Sequence, residues 1–114
     1  MAYIETQTVT IASGTALSPE VTLGEKTLVG IVMPAGWDAA ALTFQATPDD
    51  VNFGGLCTSA GAEVSFAPAA GQFIVVDPTL WRGVTGIKLR SGTSASPVNQ
   101  TANRTLTLVT RTVY

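Results

Sequence analysis

The chain has 114 residues, a length typical of one domain with one hydrophobic core, and it contains one cysteine and no histidine. Neither an internal disulfide nor a Cys/His zinc site can therefore form. Only 12% of the residues are charged, where roughly 25% is usual, and the mean hydropathy is +0.33. A net charge of −2 with six basic residues argues against nucleic acid as a partner.

Alternation of apolar and polar residues predicts strands along most of the chain, and no segment has the periodicity of a long helix. In chain order the predicted strands are 4–11, 26–33, 41–47, 62–66, 72–76, 85–90 and 104–112, with a further apolar segment at 53–56. One helical turn is predicted near 77–82, because Asp77 is a favoured N-cap and Pro78 is tolerated at the first helical position.

About seven or eight short strands and at most one helical turn predict an all-β fold, an antiparallel β-sandwich of jelly-roll type. We expect one domain over residues 1–114, with residues 1–10 as an N-terminal strand or arm. The predicted core consists of Leu28, Ile31, Val32, Leu42, Phe44, Phe66, Ile74, Ile87, Leu89, Leu106 and Leu108.

The N-terminal residues do not have the basic and apolar segments of a secretion signal, so synthesis in a cytoplasm is expected. No apolar run approaches the roughly 18 residues that a membrane-spanning helix needs. We therefore predict a protein that does not act in a membrane. The scarcity of charge predicts instead that part of its surface is buried against copies of itself or a larger partner, since such interfaces are depleted of charge.

Catalytic groups are scarce, and we predict a protein that is not an enzyme and holds no cofactor or metal. Without histidine, the Ser-His and Cys-His arrangements cannot be built. Cys57 is expected to be a buried or partly buried structural thiol. Asp49, Asp50 and Asn52 could supply oxygen ligands to Ca²⁺, but an Asx turn explains the same residues and is the favoured interpretation.

The residues with features suited to partner binding lie in four places. An N-terminal strand offers unpaired backbone groups, and the polar loop 91–103 is long enough to be an interface. Trp37 follows a turn and is either an exposed anchor or a core residue, whereas Lys88 and Arg90 project from one strand face and either stay solvated or pair with carboxylates. The candidate partner-binding residues are Tyr3, Ile4, Thr6, Thr8, Trp37, Lys88, Arg90, Pro97 and Asn99.

Residues 42–53, with the later segment 86–92, resemble the discoidin-like (galactose-binding-like) jelly rolls, in which a strand ends in a Ser-x-Asp-Gly turn before an aromatic residue. In this chain Thr47 replaces the serine and Asp50 the glycine. The ligand-binding loops of that family are not recognisable here. The resemblance therefore implies the fold and no sugar or lipid site.

Nearly the whole chain, from residues 27–37 to 104–109, also resembles small proteins encoded among the structural genes of tailed bacteriophages. That resemblance implies a structural protein of the virion, made in the host bacterial cytoplasm. Within this group it implies a capsid decoration or cement protein, a homotrimer that binds the major capsid protein across neighbouring capsomers and stabilises the shell.

Two other functions remain open at this point. The first is a carbohydrate-binding module of a tail fibre, baseplate or head appendage, which would bind a glycan through Trp37 and the turn at 49–52. The second is a component of the tail tube or connector.

Overall fold

The structure is a computed structural model that describes residues 4–112. Within that range the chain forms eight strands and one 3₁₀ turn. The strands are β1 (Ile4–Ile11), β2 (Val21–Thr22), β3 (Thr27–Val32), β4 (Leu42–Thr47), β5 (Gly54–Gly55), β6 (Phe73–Val75), β7 (Gly86–Ser91) and β8 (Arg104–Arg111). The 3₁₀ turn spans Pro78–Trp81 and is capped by the Asp77 side chain, as predicted. No helix in the described range is long and apolar enough to cross a membrane.

The strands form two antiparallel four-stranded sheets. Sheet A has the order β1-β8-β3-β6, and sheet B has the order β2-β7-β4-β5. The first four strands pair with the last four in reverse order: β1 with β8, β2 with β7, β3 with β6 and β4 with β5. This is the pairing that results when one long antiparallel hairpin rolls up on itself, and it defines a jelly roll. The predicted fold class is confirmed.

The core fills the space between the two sheets. The fully buried residues Leu28, Ile31, Leu42, Phe44, Ile87, Leu89, Leu106 and Leu108 were all predicted to be there. Phe44 packs edge-to-face against Trp81 with ring centroids 5.0 Å apart, and Trp81 is also fully buried. Phe66 and Ile74 are only half-buried, at the margin of the core. Val32 is half-buried because it alternates with the inward-facing Ile31 and lies on the outside of sheet A.

Two expectations for the middle of the chain are wrong. Residues 62–66 form no continuous strand and contribute only isolated bridges, Cys57 with Glu63 and Leu42 with Phe66. Cys57 is exposed rather than buried. Residues 56–64 fold back on themselves, with the Thr58 N–H donating to the Ala62 carbonyl and the Val64 N–H donating to the Leu56 carbonyl. Cys57 lies on the exposed part of this turn.

Residues 4–11 form a complete strand of the sandwich. Its pairing with β8 runs without interruption from Ile4 opposite Arg111 to Ile11 opposite Arg104. Val9 and Ile11 are buried in the core. Tyr3, one of the candidate partner-binding residues, lies outside the described residues.

Candidate interaction surface

The outside of sheet A is a broad surface to which all four strands contribute. Side chains alternate between the two faces of a strand, and the buried residues Ile11, Leu106 and Ile31 identify the face that points to the core. The opposite side, here called the outer face, comprises Ile4, Thr6, Thr8, Thr10, Gly30, Val32, Phe73, Val75, Thr105, Thr107, Val109 and Arg111. Of the predicted candidates, Ile4, Thr6 and Thr8 lie on this face and are exposed.

The strand register arranges these side chains in rows across the sheet. One row runs Thr8, Thr107, Val32 and Phe73, and the next runs Thr6, Val109, Gly30 and Val75. Residues directly opposite each other on antiparallel strands have Cβ atoms about 5 Å apart, so the side chains along each row are neighbours except at Gly30, which has no Cβ. The outer face is therefore hydroxyl-rich at the β1 side and apolar at the β6 side.

The apolar side depends on a glycine. A Cβ atom on Gly30 would lie 2.6 Å from Cε1 of Phe73, so the Phe73 ring lies across β3 in space that only glycine leaves open. Phe73 nevertheless remains 62% exposed, and Val75 is 84% exposed. Apolar side chains this exposed and this close together are typical of a binding surface.

Charge is nearly absent from the outer face, where Arg111 at one corner is the single charged side chain. Glu5, the charged residue of β1, points to the other side of the strand, where its carboxylate lies 2.8 Å from the Lys26 ammonium. A partner that covers the outer face would therefore desolvate hydroxyl and alkyl groups rather than ions. Burial of alkyl groups is favourable, and burial of a hydroxyl group costs much less than burial of a charge.

Arg90 and Lys88 are fixed within the chain. Arg90 is only 7% exposed, its Nε donates to the Thr43 hydroxyl at 3.0 Å, and its Nη2 lies 3.0 Å from Oε2 of Glu63. This is the pairing with a carboxylate that the sequence allowed, and it leaves Arg90 unavailable to a partner. The ammonium of Lys88 lies 4.5 Å from the centre of the Phe53 ring, a cation–π contact.

Trp37 is a core residue, so the interpretation of Trp37 as an exposed anchor is wrong. Its side chain is 6% exposed, and its indole N–H donates to the Ala40 carbonyl at 3.3 Å. The short turn after Pro34 folds back on itself, with the Trp37 N–H reaching the Pro34 carbonyl, and directs the ring inward. No face of the indole is open for stacking on a sugar.

The loop between β7 and β8 is held in place by a buried glutamine, Gln100, which no local sequence pattern singles out. The Gln100 side chain is fully buried, and its Nε2 donates to Oγ of Ser91 at 2.7 Å and to the Asp38 carbonyl at 3.2 Å. Its Oε1 accepts from the Asp38 N–H at 2.9 Å and from Nε of Arg104 at 3.3 Å. Pro97 and Asn99, the predicted candidates in this loop, are exposed.

The Asp38 carboxylate belongs to the same cluster. It accepts hydrogen bonds from the N–H of Thr101 at 2.7 Å and from its hydroxyl at 2.9 Å, and it lies 3.4 Å from Arg104. These donors, the Thr101 N–H foremost, lower the pKa of Asp38 below its ordinary value. The loop is therefore tied to the rest of the sandwich at two points.

The acidic turn after β4 has the geometry of an Asx turn. The Asp49 carboxylate accepts from the N–H groups of Asn52 and Val51, at 2.8 and 3.0 Å, and from the Asn52 side chain at 2.7 Å. The hydrogen bond from the Asn52 N–H is the main reason that the pKa of Asp49 lies well below its usual range. Residues 4–112 contain no group of three or more acidic, Cys or His residues placed to hold a metal ion.

A shallow cavity of about 300 Å³ lies at the β5 edge of sheet B. It is lined by Ala46, Thr47, Pro48, Gly54, Gly55, Leu56, Cys57, Gly83 and Val84. These residues are uncharged, and Cys57 contributes the one thiol. The cavity lies between the short edge strand β5 and the residues that follow the 3₁₀ turn.

Comparison with known proteins finds similarity of fold only. No family model matches the sequence, and no curated protein matches it either. Among solved structures, the SPBc2 prophage-derived protein YomS is similar over 96% of this chain and 95% of its own, with a TM-score of 0.59 and 11% sequence identity. The K3 cleaved adhesin domain of Lys-gingipain from Porphyromonas gingivalis aligns with a TM-score of 0.37 and 17% identity, over 85% of this chain and 62% of that domain.

Proposed function

We propose that this chain is a non-enzymatic structural protein of a bacteriophage particle, and that it decorates the capsid by binding across neighbouring capsomers. On this proposal its partners are the major capsid protein and further copies of itself. It stabilises the shell through many modest contacts and without any chemical step, because each additional contact on a lattice forms at high effective concentration.

The observation that carries the proposal is the outer face of sheet A. A surface that spans four strands, bears one charge at its corner and exposes Phe73 and Val75 is costly to leave in water and inexpensive to cover. A shell of repeated subunits offers such a surface many equivalent binding sites.

The likeness to a prophage-derived protein supports the phage context. The two chains match over nearly their full lengths, so both have the architecture of one jelly roll with little added or removed. At 11% identity the match supports the fold alone. The proposed role on the capsid therefore rests on the outer face of sheet A.

The glycan-binding alternative has lost its main physical support. It relied on an exposed indole at Trp37, which is buried, and on the turn at 49–52, where the Asp49 carboxylate accepts hydrogen bonds from within the turn. Capsid decoration requires neither group, so we favour it over the glycan module.

The direct test is binding to heads of the phage whose genome encodes the chain, prepared without this protein. The Val75→Lys variant places a charge in the apolar part of the outer face and should reduce co-sedimentation with the heads by at least about tenfold. The matched control is Val51→Lys, because Val51 is 77% exposed and lies in the turn after β4, away from the outer face.

The control should bind as the original chain does. Equal binding by the two variants, whether strong or weak, would contradict the use of the outer face. A soluble glycan that changes the tryptophan fluorescence of the chain would revive the carbohydrate-binding alternative.

A further inference from the structure

The four edges of the two sheets are protected very unequally. In the described range the edge strands are β1 and β6 in sheet A and β2 and β5 in sheet B. The strands β2 and β5 have two residues each and β6 has three, whereas β1 has eight. Short edge strands are one means by which natural proteins prevent pairing with other molecules. Three edges use that protection and β1 does not.

Apart from Glu5, whose charge points toward the core side and is paired with Lys26, β1 lacks the other common forms of edge protection. It contains no proline and no lysine, and its register with β8 has no bulge. Within the described residues β8 is the only strand with which it pairs. The backbone N–H and C=O groups on its far side are therefore available to a ninth strand.

The sequence of β1 permits that ninth strand to be another β1. Its single charged residue, Glu5, points toward the core side and is paired with Lys26. In an antiparallel pairing centred on Gln7, Thr6 of one copy lies opposite Thr8 of the other, and Glu5 lies opposite Val9. No like charges face each other, and every outward pair consists of threonine or of isoleucine with threonine.

We infer that two copies of this chain associate through antiparallel pairing of their β1 strands. The contact is isologous, with a two-fold axis perpendicular to the sheet, and it joins the two copies of sheet A into one eight-stranded sheet. That axis keeps both outer faces on the same side. The dimer therefore presents a doubled outer face to a single partner surface, and it replaces the trimer expected from the resemblance.

The test compares two double variants that introduce lysines, one on the edge strand β1 and the other on the adjacent strand β8. Thr6→Lys with Thr8→Lys places lysines directly opposite each other across the axis, and both threonines are exposed in the single chain. The matched control is Thr105→Lys with Thr107→Lys, on the same face but on the adjacent strand β8. Sedimentation equilibrium measures the dimer dissociation constant of each variant.

The original chain should sediment at twice its mass of 11.8 kDa at high concentration and dissociate on dilution. The β1 variant should weaken the dimer by about tenfold, since like charges directly opposite on paired strands repel, and the β8 variant should leave it nearly unchanged. A monomer at every concentration, or a trimer, overturns the inference. Equal weakening by both variants indicates face-to-face packing and also overturns it.

Hydrogen exchange on the original chain gives an answer that does not depend on how the variants fold. Alternate amide protons of β1 face the open edge, and these should exchange more slowly in the dimer than after dilution. If their exchange rates do not depend on concentration, β1 is not the contact. Binding to heads is a separate measurement, so a monomer that binds them and a dimer that does not are distinguishable results.

Discussion

Gln100→Leu is the substitution with the most informative expected effect on stability. Leucine has nearly the volume of glutamine but no polar atoms, so the change removes four hydrogen bonds and creates little cavity. It leaves the N–H and C=O of Asp38, the Ser91 hydroxyl and Nε of Arg104 without their partner. Ser91 is fully buried, whereas Asp38 and Arg104 are reached by water.

The expected loss of stability follows from the four hydrogen bonds that the substitution removes. A buried polar group left without a partner costs about 1 to 3 kcal/mol, and water can replace part of the loss at the half-buried groups. The added apolar burial returns about 1 kcal/mol. We therefore expect the free energy of unfolding to fall by about 2 to 3 kcal/mol, measured by urea titration.

The control is the neighbouring residue. Asn99 is exposed, so Asn99→Leu should change the free energy of unfolding by no more than about 0.5 kcal/mol. If Gln100→Leu costs less than about 1 kcal/mol, the amide does not hold the loop and the reasoning is refuted.

Three further predictions concern the core, the outer face and the response to acid. Phe44→Ala should reduce the free energy of unfolding by about 3 to 5 kcal/mol in a urea titration, because Phe44 is fully buried against Trp81. Gly30→Ala should displace the Phe73 ring, which would be seen as a change in its aromatic NMR signals, and should cost less than about 1 kcal/mol because that ring is free to move into solvent. Asp38 has a lowered pKa, so its contribution to stability is present above its ordinary pKa of 3.8 and is lost as the pH falls through the lower value in the fold. Asp38→Asn should therefore lose less stability than the original chain when urea titrations at about pH 5 and about pH 2 are compared.

The sequence was sufficient for the fold class and most of the core. Alternation placed Leu106 and Leu108 on one face of β8, and Leu42 and Phe44 on one face of β4, and all four are fully buried. The apolar run of β3 was less informative, because isoleucine, valine and leucine occur there on both faces. Only the partner strands decide that Ile31 points inward and Val32 outward.

The candidate surface could be predicted only in part. The sequence pattern singles out Ile4, Thr6 and Thr8 as residues of an N-terminal strand, but it does not distinguish Phe73 and Val75 from other strand residues. Their exposure depends on β6 being an edge strand, which is a property of topology. The function of Gln100 depends on Asp38, 62 positions earlier in the chain, and no local pattern reports such a contact.

The position of β8 has a consequence for how the protein is made. β8 is the last of the described strands in chain order, yet it lies between β1 and β3, which do not pair with each other. Sheet A therefore cannot be completed until residues 104–111 have left the ribosome. Until then, the backbone groups of β1 and β3 that pair with β8 have no partner strand. Pairing between segments so far apart in sequence is slow compared with local pairing. Nascent chains that end before β8 should consequently be recognised by chaperones rather than accumulate as a smaller folded domain.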